Sequence, residues 1–322
     1  MAMLQPRAGS LTAIFLLCLC TQAGAQDYPT KVVRYVVTDQ AGSNTDVLAR
    51  IVAEGLSEIF HHQVIVDNRA GAGGNIGAEI AARGSADGYT MLQIATTHTV
   101  NVSLYKKLGY DLVRDFSAVT QIAAGPSVVV VPSASPVKSV NDLVAVAKAK
   151  PGTINYSSAG LGTCTFLAAE KFKRQAGVDL VHVAYKGGAE AVTAVISGET
   201  SVYFAPLAPV LPQIRQGRLR ALAVTTAEPL SLLPGYPTVA ESGVRGYEAM
   251  CWYGLVVPAG TPKAIIAKIH DAVVAVLNKP NVKKRLGDLG FLPVGDQPEQ
   301  FGAYIKSQIA SNREIVRDIP AQ

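Results

Sequence analysis

Apolar residues fall into short runs and helical stripes that alternate along the chain. Lys31–Val37 (KVVRYVV) reads as a strand, and Asn44–Phe60 follows with Val47, Leu48, Ile51, Val52, Leu56, Ile59 and Phe60 on one helical face. Thr45 and Asp46 bring capping chemistry and an acid to the first turn of that helix. Val64–Val66 is a second strand, a helix covers Ile76–Arg83, and after the Asp87-Gly88 turn Tyr89–Ala95 is a third strand. This β-α-β-α-β order predicts a parallel sheet with helices packed on it. The alternation continues through a strand at Ser127–Val131, a helix over Ser139–Lys148 capped by Ser139, a strand at Thr153–Ser157 and a helix over Phe166–Gln175. Val181–Tyr185, Ser201–Phe204 and Leu219–Thr225 read as strands, with a helix over Ala189–Ile196. Leu255–Val257 adds a strand, Thr261-Pro262 opens a long helix to Leu277, and a last helix spans Pro298–Arg317.

A different pattern precedes Gln26. Arg7 is followed by the apolar run Leu11–Cys20 and by Ala23-Gly24-Ala25, a small-residue cleavage site. Charge, short apolar core and small-residue exit make residues 1–25 a secretory signal cleaved after Ala25, which implies a periplasmic, soluble mature chain. The run is too short to span a bilayer. Cys164 and Cys251 remain in an oxidising compartment, where one disulfide is open to them; the plainer reading, preferred here, is two small buried hydrophobes.

Composition narrows the function. With 49% hydrophobic and 16% charged residues the chain can bury a large core. Net charge is +5 and the longest basic cluster is Lys283-Lys284-Arg285, which excludes a nucleic-acid footprint and biases weakly toward small anions. Gly-rich turns follow strands at Ala41–Asn44, Gly71–Gly74, Ala159–Thr163 and Lys186–Gly188. In open α/β sheets ligands sit beyond the carboxyl ends of strands, where helix N-termini offer free amides to anions.

Gly71-Ala72-Gly73-Gly74-Asn75-Ile76-Gly77 has the look of a dinucleotide fingerprint, but it follows the second strand and no acid stands about twenty residues on. No cofactor is expected. No G-x-S-x-G is present, and Cys164 lacks a definable base partner, so a secreted hydrolase using Cys164 is the weakest reading. His61-His62 are adjacent and do not converge on a metal in regular structure. His98, in a Thr-rich loop after a strand, and Asp39, right after the first strand, stand where site residues belong.

The run Asp67-Asn68-Arg69-Ala70-Gly71-Ala72-Gly73-Gly74-Asn75-Ile76-Gly77, ending in Asp87-Gly88-Tyr89-Thr90, resembles the Bug family. These are extracytoplasmic solute receptors of tripartite tricarboxylate transporters. His182-Val183-Ala184-Tyr185-Lys186-Gly187, Leu219–Thr225, Pro237–Gly243 and Pro258-Ala259-Gly260-Thr261-Pro262 are similar as well, in order along the mature chain. The resemblance implies a type II periplasmic-binding-protein fold, two α/β domains with a ligand cleft between them. Residues 26–125 and 226–322 would form the first domain, and 126–225 an inserted second one. It implies a monomer that captures a small organic acid and delivers it to a membrane permease. The alternative is a sensor that reports the ligand to a membrane histidine kinase.

Carried over loop by loop, the implied ligand residues are Asp39, Gln40, Ala41, Gly42, Ser43, Asn44 and Asp46 in the first loop. Ala72 and Gly73 belong to the second, Thr97 and His98 to the third. The second domain contributes Gly160, Gly162, Thr163, Lys186, Gly187 and Ala205. The sequence departs from the family where Thr38-Asp39-Gln40-Ala41-Gly42-Ser43-Asn44 replaces an aromatic and Pro-Gly-Gly, where Phe166 replaces a His, and where Ala205 replaces Asp or Asn. Asp39 puts a negative charge close to where a carboxylate would sit.

Overall fold

The computed structural model describes residues 28–321; the export signal expected over residues 1–25 lies outside the described residues. The chain opens with β1 (Val33–Val37), α1 (Asn44–Phe60), β2 (Val64–Asn68), α2 (Asn75–Ala82), β3 (Thr90–Ala95), α3 (Thr96–Leu104) and β4 (Phe116–Pro132). It continues with α4 (Val140–Ala149), β5 (Asn155–Ser158), α5 (Cys164–Ala176), β6 (Val181–Ala184), α6 (Gly188–Ser197), β7 (Val202–Pro206), α7 (Leu207–Arg215) and β8 (Leu219–Val224). It closes with β9 (Met250–Pro258), α8 (Lys263–Asn278), α9 (Pro280–Asp288), β10 (Leu292–Pro293) and α10 (Pro298–Val316).

The strands follow the order β2-β1-β3-β9-β4-β7-β5-β6, with β8 and β10 also paired to β4. Parallel pairing holds where βαβ units predict it: β1 with β2 and β3, and β5 with β6 and β7. Between these groups the pairing turns antiparallel through β9 and β4. β4 belongs to both halves. Phe116–Pro126 pairs β9, and Ser127–Pro132 pairs β7 and β8. The chain returns at Thr225, whose hydroxyl donates to Ser127 O at 2.9 Å and whose amide donates to the same oxygen. One long strand and one hydroxyl thus join two sheets.

Each sheet is covered on both faces, which explains the near-continuous apolar strands. On the first sheet, Leu48, Ile51, Val52 and Leu56 of α1 meet Ile269, Val273 and Val276 of α8. On its other face, Ala78 and Ala81 of α2 join Trp252, Phe301 and Ile305. On the second sheet, Phe166 and Phe172 of α5 pack with Val129, Val131 and Phe204 on one face, and Val195 and Val210 cover Val128 and Val130 on the other. Full burial of one such Leu or Phe contributes roughly 1.5–3 kcal/mol.

The sequence reading differs from the structure at elements with weak local signals. The Thr-rich stretch around His98, expected as a loop, is the start of α3 (Thr96–Leu104). β-branched threonines favour helix poorly, but Thr99 is buried and its hydroxyl accepts from Asn312 Nδ2 of α10 at 2.9 Å, so tertiary contact overrides propensity. α7 carries Pro209 and Pro212, and α9 begins with Pro280; proline concealed both. β4 and β9 run far beyond the Ser127–Val131 and Leu255–Val257 segments expected.

Candidate functional site

A cleft of about 860 Å³ lies between the two sheets. The turns that follow β1, β2, β3, β5, β6 and β7 all line it, together with Cys251, Trp252 and Tyr253 of β9. Those turns start helices, so the N-terminal residues of α1, α3, α5, α6 and α7 face one space. Free amides and aligned peptide dipoles make it attractive to anions from both walls. Lysine 186 and Asp39 are the charged side chains among the described lining residues.

The first wall is braced from beneath. Ser43 caps α1 by accepting from Asp46 N at 3.2 Å. Asp46 is 2% exposed and accepts from Gly42 N at 2.8 Å, Arg50 Nε at 2.9 Å and Asn68 Nδ2 at 2.9 Å. Burial pushes this carboxyl up, but Arg50, the Gly42 amide and Asn68 together outweigh it and hold it below the usual range. Gln93 adds a buried tie: it accepts from Tyr35 Oη at 2.6 Å and donates to Thr45 O at 2.8 Å. The Gly-rich second loop is pinned by Asn101, whose Nδ2 donates to Gly73 O at 2.9 Å and Asn75 Oδ1 at 2.8 Å. It is a turn braced from α3.

His98 sits 1% exposed at the start of α3. Its Nδ1 accepts from Ala95 N at 3.0 Å, which leaves the proton on Nε2; the longer 3.3 Å approach of Nδ1 to Ala95 O would need the opposite tautomer. Nε2 is buried without a partner among the described residues. It faces Gly74, where an added Cβ would stand 3.1 Å from Nε2 and 3.1 Å from Thr38 Cβ; φ of +89° also calls for glycine there. Tyr203 Oη and Trp252 Nε1 are likewise buried without hydrogen bonds among the described residues. Thr165 favours the Tyr203 phenolate slightly through its proximity but makes no hydrogen bond of normal geometry, and burial dominates in raising the phenol. Asn75 Nδ2, Ser103 Oγ, Thr200 Oγ1 and Gln213 Oε1 are also unpartnered among the described residues, but His98, Tyr203 and Trp252 are the ones that line the cleft, where a ligand can pair with them.

Burial lowers His98 to about 4 despite the Ala95 backbone contact. An unfolded histidine takes up its proton near pH 6.5, whereas the folded one resists until about pH 4. Stability is therefore expected to fall as pH drops from about 6.5 to 4, by about 3 kcal/mol from this residue alone. Urea unfolding of the wild type and a His98→Gln variant across this range checks it, because the variant loses the slope that His98 contributes.

The second wall is a hydroxyl-rich turn. Thr163 caps α5 and donates to Gly160 O at 2.7 Å, and Thr165 Oγ1 accepts from Ala159 N at 3.0 Å. Behind it, Ser158 Oγ lies 2.6 Å from His182 Nε2 and accepts from Gly160 N at 3.1 Å. Cys164 and Cys251 are joined as a disulfide with Cα atoms 5.2 Å apart, so the reading of two free buried cysteines is corrected. Their 87-residue separation hid a proximity that only the fold creates. The bond also removes the thiol a Cys164 hydrolase would use.

Asp39, Gln40, Ala41, Gly42, Ser43, Asn44, Gly73, Thr97, His98, Gly160, Thr163, Lys186 and Gly187 all line the cleft. Asp46, Ala72, Gly162 and Ala205 do not. Asp46 points under its loop and braces it. Ala72 is exposed on the outer side of a 3-10 turn. Gly162 is buried against Leu104 and Asn101 of α3. Ala205 is fully buried in the same apolar cluster as Tyr203, and its methyl is too short to reach where the phenol ends. Tyr203, Thr165, Trp252 and Tyr253 had no motif to reveal them. Among the described residues no group of three or more His, Cys, Asp or Glu could hold a metal, and no helix is long and apolar enough to cross a membrane.

Two sheets joined by the shared strand β4, with helix N-termini converging on one cleft, define a solute-binding protein of the periplasmic type, and solved structures agree. An R. palustris protein solved with adipate superposes with TM-score 0.82 at 35% identity, covering 90% of this chain and 98% of its own. The periplasmic binding protein BugD gives 0.80 at 30% identity, covering 92% and 100%. MatC from Rhodopseudomonas palustris with bound malate gives 0.79 at 26% identity, covering 90% and 100%. BugT of Bordetella pertussis is 30% identical over 306 residues, 94% of each chain. The family model described as "Tripartite tricarboxylate transporter family receptor" matches residues 48–320. The chain belongs to that family of extracytoplasmic receptors.

Proposed function

We propose that the protein captures a small organic acid in this cleft and presents it to a tripartite-type membrane permease from the periplasm. One observation supports the reading: the cleft combines helix N-termini from both walls with buried polar groups, His98 Nε2 and Tyr203 Oη, that have no partner among the described residues. Neutral donors of this kind bind a carboxylate without the desolvation cost of burying a counter-charge. The adipate and malate of the two R. palustris proteins fit the same chemistry. Residues 26–125 and 226–322 act as one lobe and 126–225 as the other. They move about the β4 crossing at Pro126–Ser127 and the return at Thr225, with the Cys164–Cys251 disulfide, opposite Gly125, as a third tie beside that hinge, so that both walls close on one ligand.

Thermal unfolding against C4–C6 mono- and dicarboxylates, amino acids and aromatic acids tests this. At about a hundred times its dissociation constant a cleft ligand adds roughly 2.7 kcal/mol, enough to raise the midpoint by several degrees. A shift with carboxylates, with the compound recovered unchanged, is expected. No shift with any carboxylate from ligand-free protein refutes the reading.

A further inference from the structure

Asp39 is the feature of this cleft that a simple diacid site does not explain. It stands between the end of β1 and the cap of α1, and it lines the first wall. Its carboxylate is fixed in place. Oδ1 accepts from Gln40 N at 2.8 Å and Oδ2 from Thr45 Oγ1 at 3.2 Å. These two bonds leave each oxygen further acceptor capacity. Among the described residues no cation pairs with it. Its charge reaches the cleft floor, where the buried Tyr253 phenol is raised mainly by burial and further by Asp39.

The opposite wall carries the opposite charge. Lys186 follows β6, is exposed to the cleft and has no ion-pair partner among the described residues. Its backbone N–H is taken by Glu190 Oε2 at 3.2 Å, and Glu190 does not line the cleft. The other described lining side chains are uncharged. A cleft with one acid and one base on facing walls, neither ion-paired among the described residues, matches a ligand that is itself dipolar. A diacid lying across it meets Lys186 with one end and is repelled by Asp39 at the other, the arrangement by which a site rejects near-analogues.

We infer that Asp39 makes this receptor selective for carboxylates carrying a protonated amine at the far end, such as ω-amino acids, over dicarboxylates of the same length. The carboxylate of the ligand faces Lys186 and the α5 and α6 N-termini, and its ammonium faces Asp39. The inference rests on the carboxylate-receptor reading above and adds the identity of the second group.

Isothermal titration with length-matched pairs tests it: succinate against 4-aminobutyrate, glutarate against 5-aminopentanoate, adipate against 6-aminohexanoate. The wild type is expected to prefer the amino member of its best-fitting pair by about tenfold or more. Asp39→Asn is expected to abolish or reverse that preference, and Asp39→Glu to keep its sign; thermal melts confirm that both variants fold. A wild type that prefers the diacid overturns the inference and leaves the receptor reading intact. So does an Asp39→Asn variant that weakens both members equally, the result of a direct Asp39–Lys186 contact on closure. If monocarboxylates, diacids and amino acids all fail to bind wild type and variants alike, the receptor reading itself falls, and this inference with it.

Discussion

Replacing Cys164 and Cys251 together by serine is expected to cost about 2–4 kcal/mol of stability and to lower the unfolding midpoint by roughly 5–10 °C. The bond closes a long loop, its ends 87 positions apart in sequence, and a chain-entropy estimate for such a loop is about 4–5 kcal/mol. Its position matters as much as its length. Cys164 is the first residue of α5, on the second wall, and Cys251 lies on β9, opposite Gly125 of β4 in the first sheet. The disulfide therefore fastens α5 to the strand that forms the cleft floor. Calorimetric scans of the wild type, the double serine variant and the wild type in reductant measure the effect. The double variant and the reduced wild type are expected to unfold at the same lowered temperature. An unchanged midpoint would show that the bond ties down nothing that packing does not already hold.

Asp46→Ala is the second large effect. The substitution removes the acceptor for the Gly42 amide, the Arg50 guanidinium and the Asn68 amide at once. Arginine 50 is half-exposed and turns to water, but the other two donors lose a charged partner in a part-buried setting. The expected loss is about 3 kcal/mol. Because Gly42 belongs to the first ligand loop, carboxylate affinity is expected to fall as well, by tenfold or more. Arg50→Ala, which removes one partly exposed member of the cluster, is expected to cost under about 1 kcal/mol. Since the folded carboxyl is held below its ordinary value, the Asp46 contribution is present at neutral pH and is lost as pH falls through the acid range. Denaturant melts at pH 7 and pH 3 compare the variants. Equal losses for Asp46→Ala and Arg50→Ala would show that the loop does not depend on the carboxylate.

The division between what was legible in the sequence and what was not follows from range. The α1 stripe, the Ser139 cap of α4 and the Pro262 boundary of α8 are local signals, and each marks an element in the structure. The βαβ order gave the parallel pairings of β1–β3 and β5–β7, because a crossover helix leaves little alternative. α3 was missed because its support comes from α10, more than two hundred residues away. The same holds for the disulfide. Within the site, backbone-rich loops were found through their glycines, since those glycines report a sharp turn at a strand end. Asp46 reads as a ligand residue in the sequence because sequence cannot tell a side chain that faces a cleft from one that braces the loop around it. Tyr203 was invisible for another reason: in Ser201–Phe204 it reads as one more apolar strand residue, and its unpartnered hydroxyl is a property of three-dimensional packing.

The central claim is that one small acid bridges both walls of the cleft. Amide hydrogen exchange, with and without the carboxylate that gives the largest thermal shift, tests it most directly. The account predicts slowed exchange together in residues 38–45 and 95–98 of one wall and 159–165 and 186–189 of the other. Protection confined to one wall, or appearing only outside these loops, would contradict it.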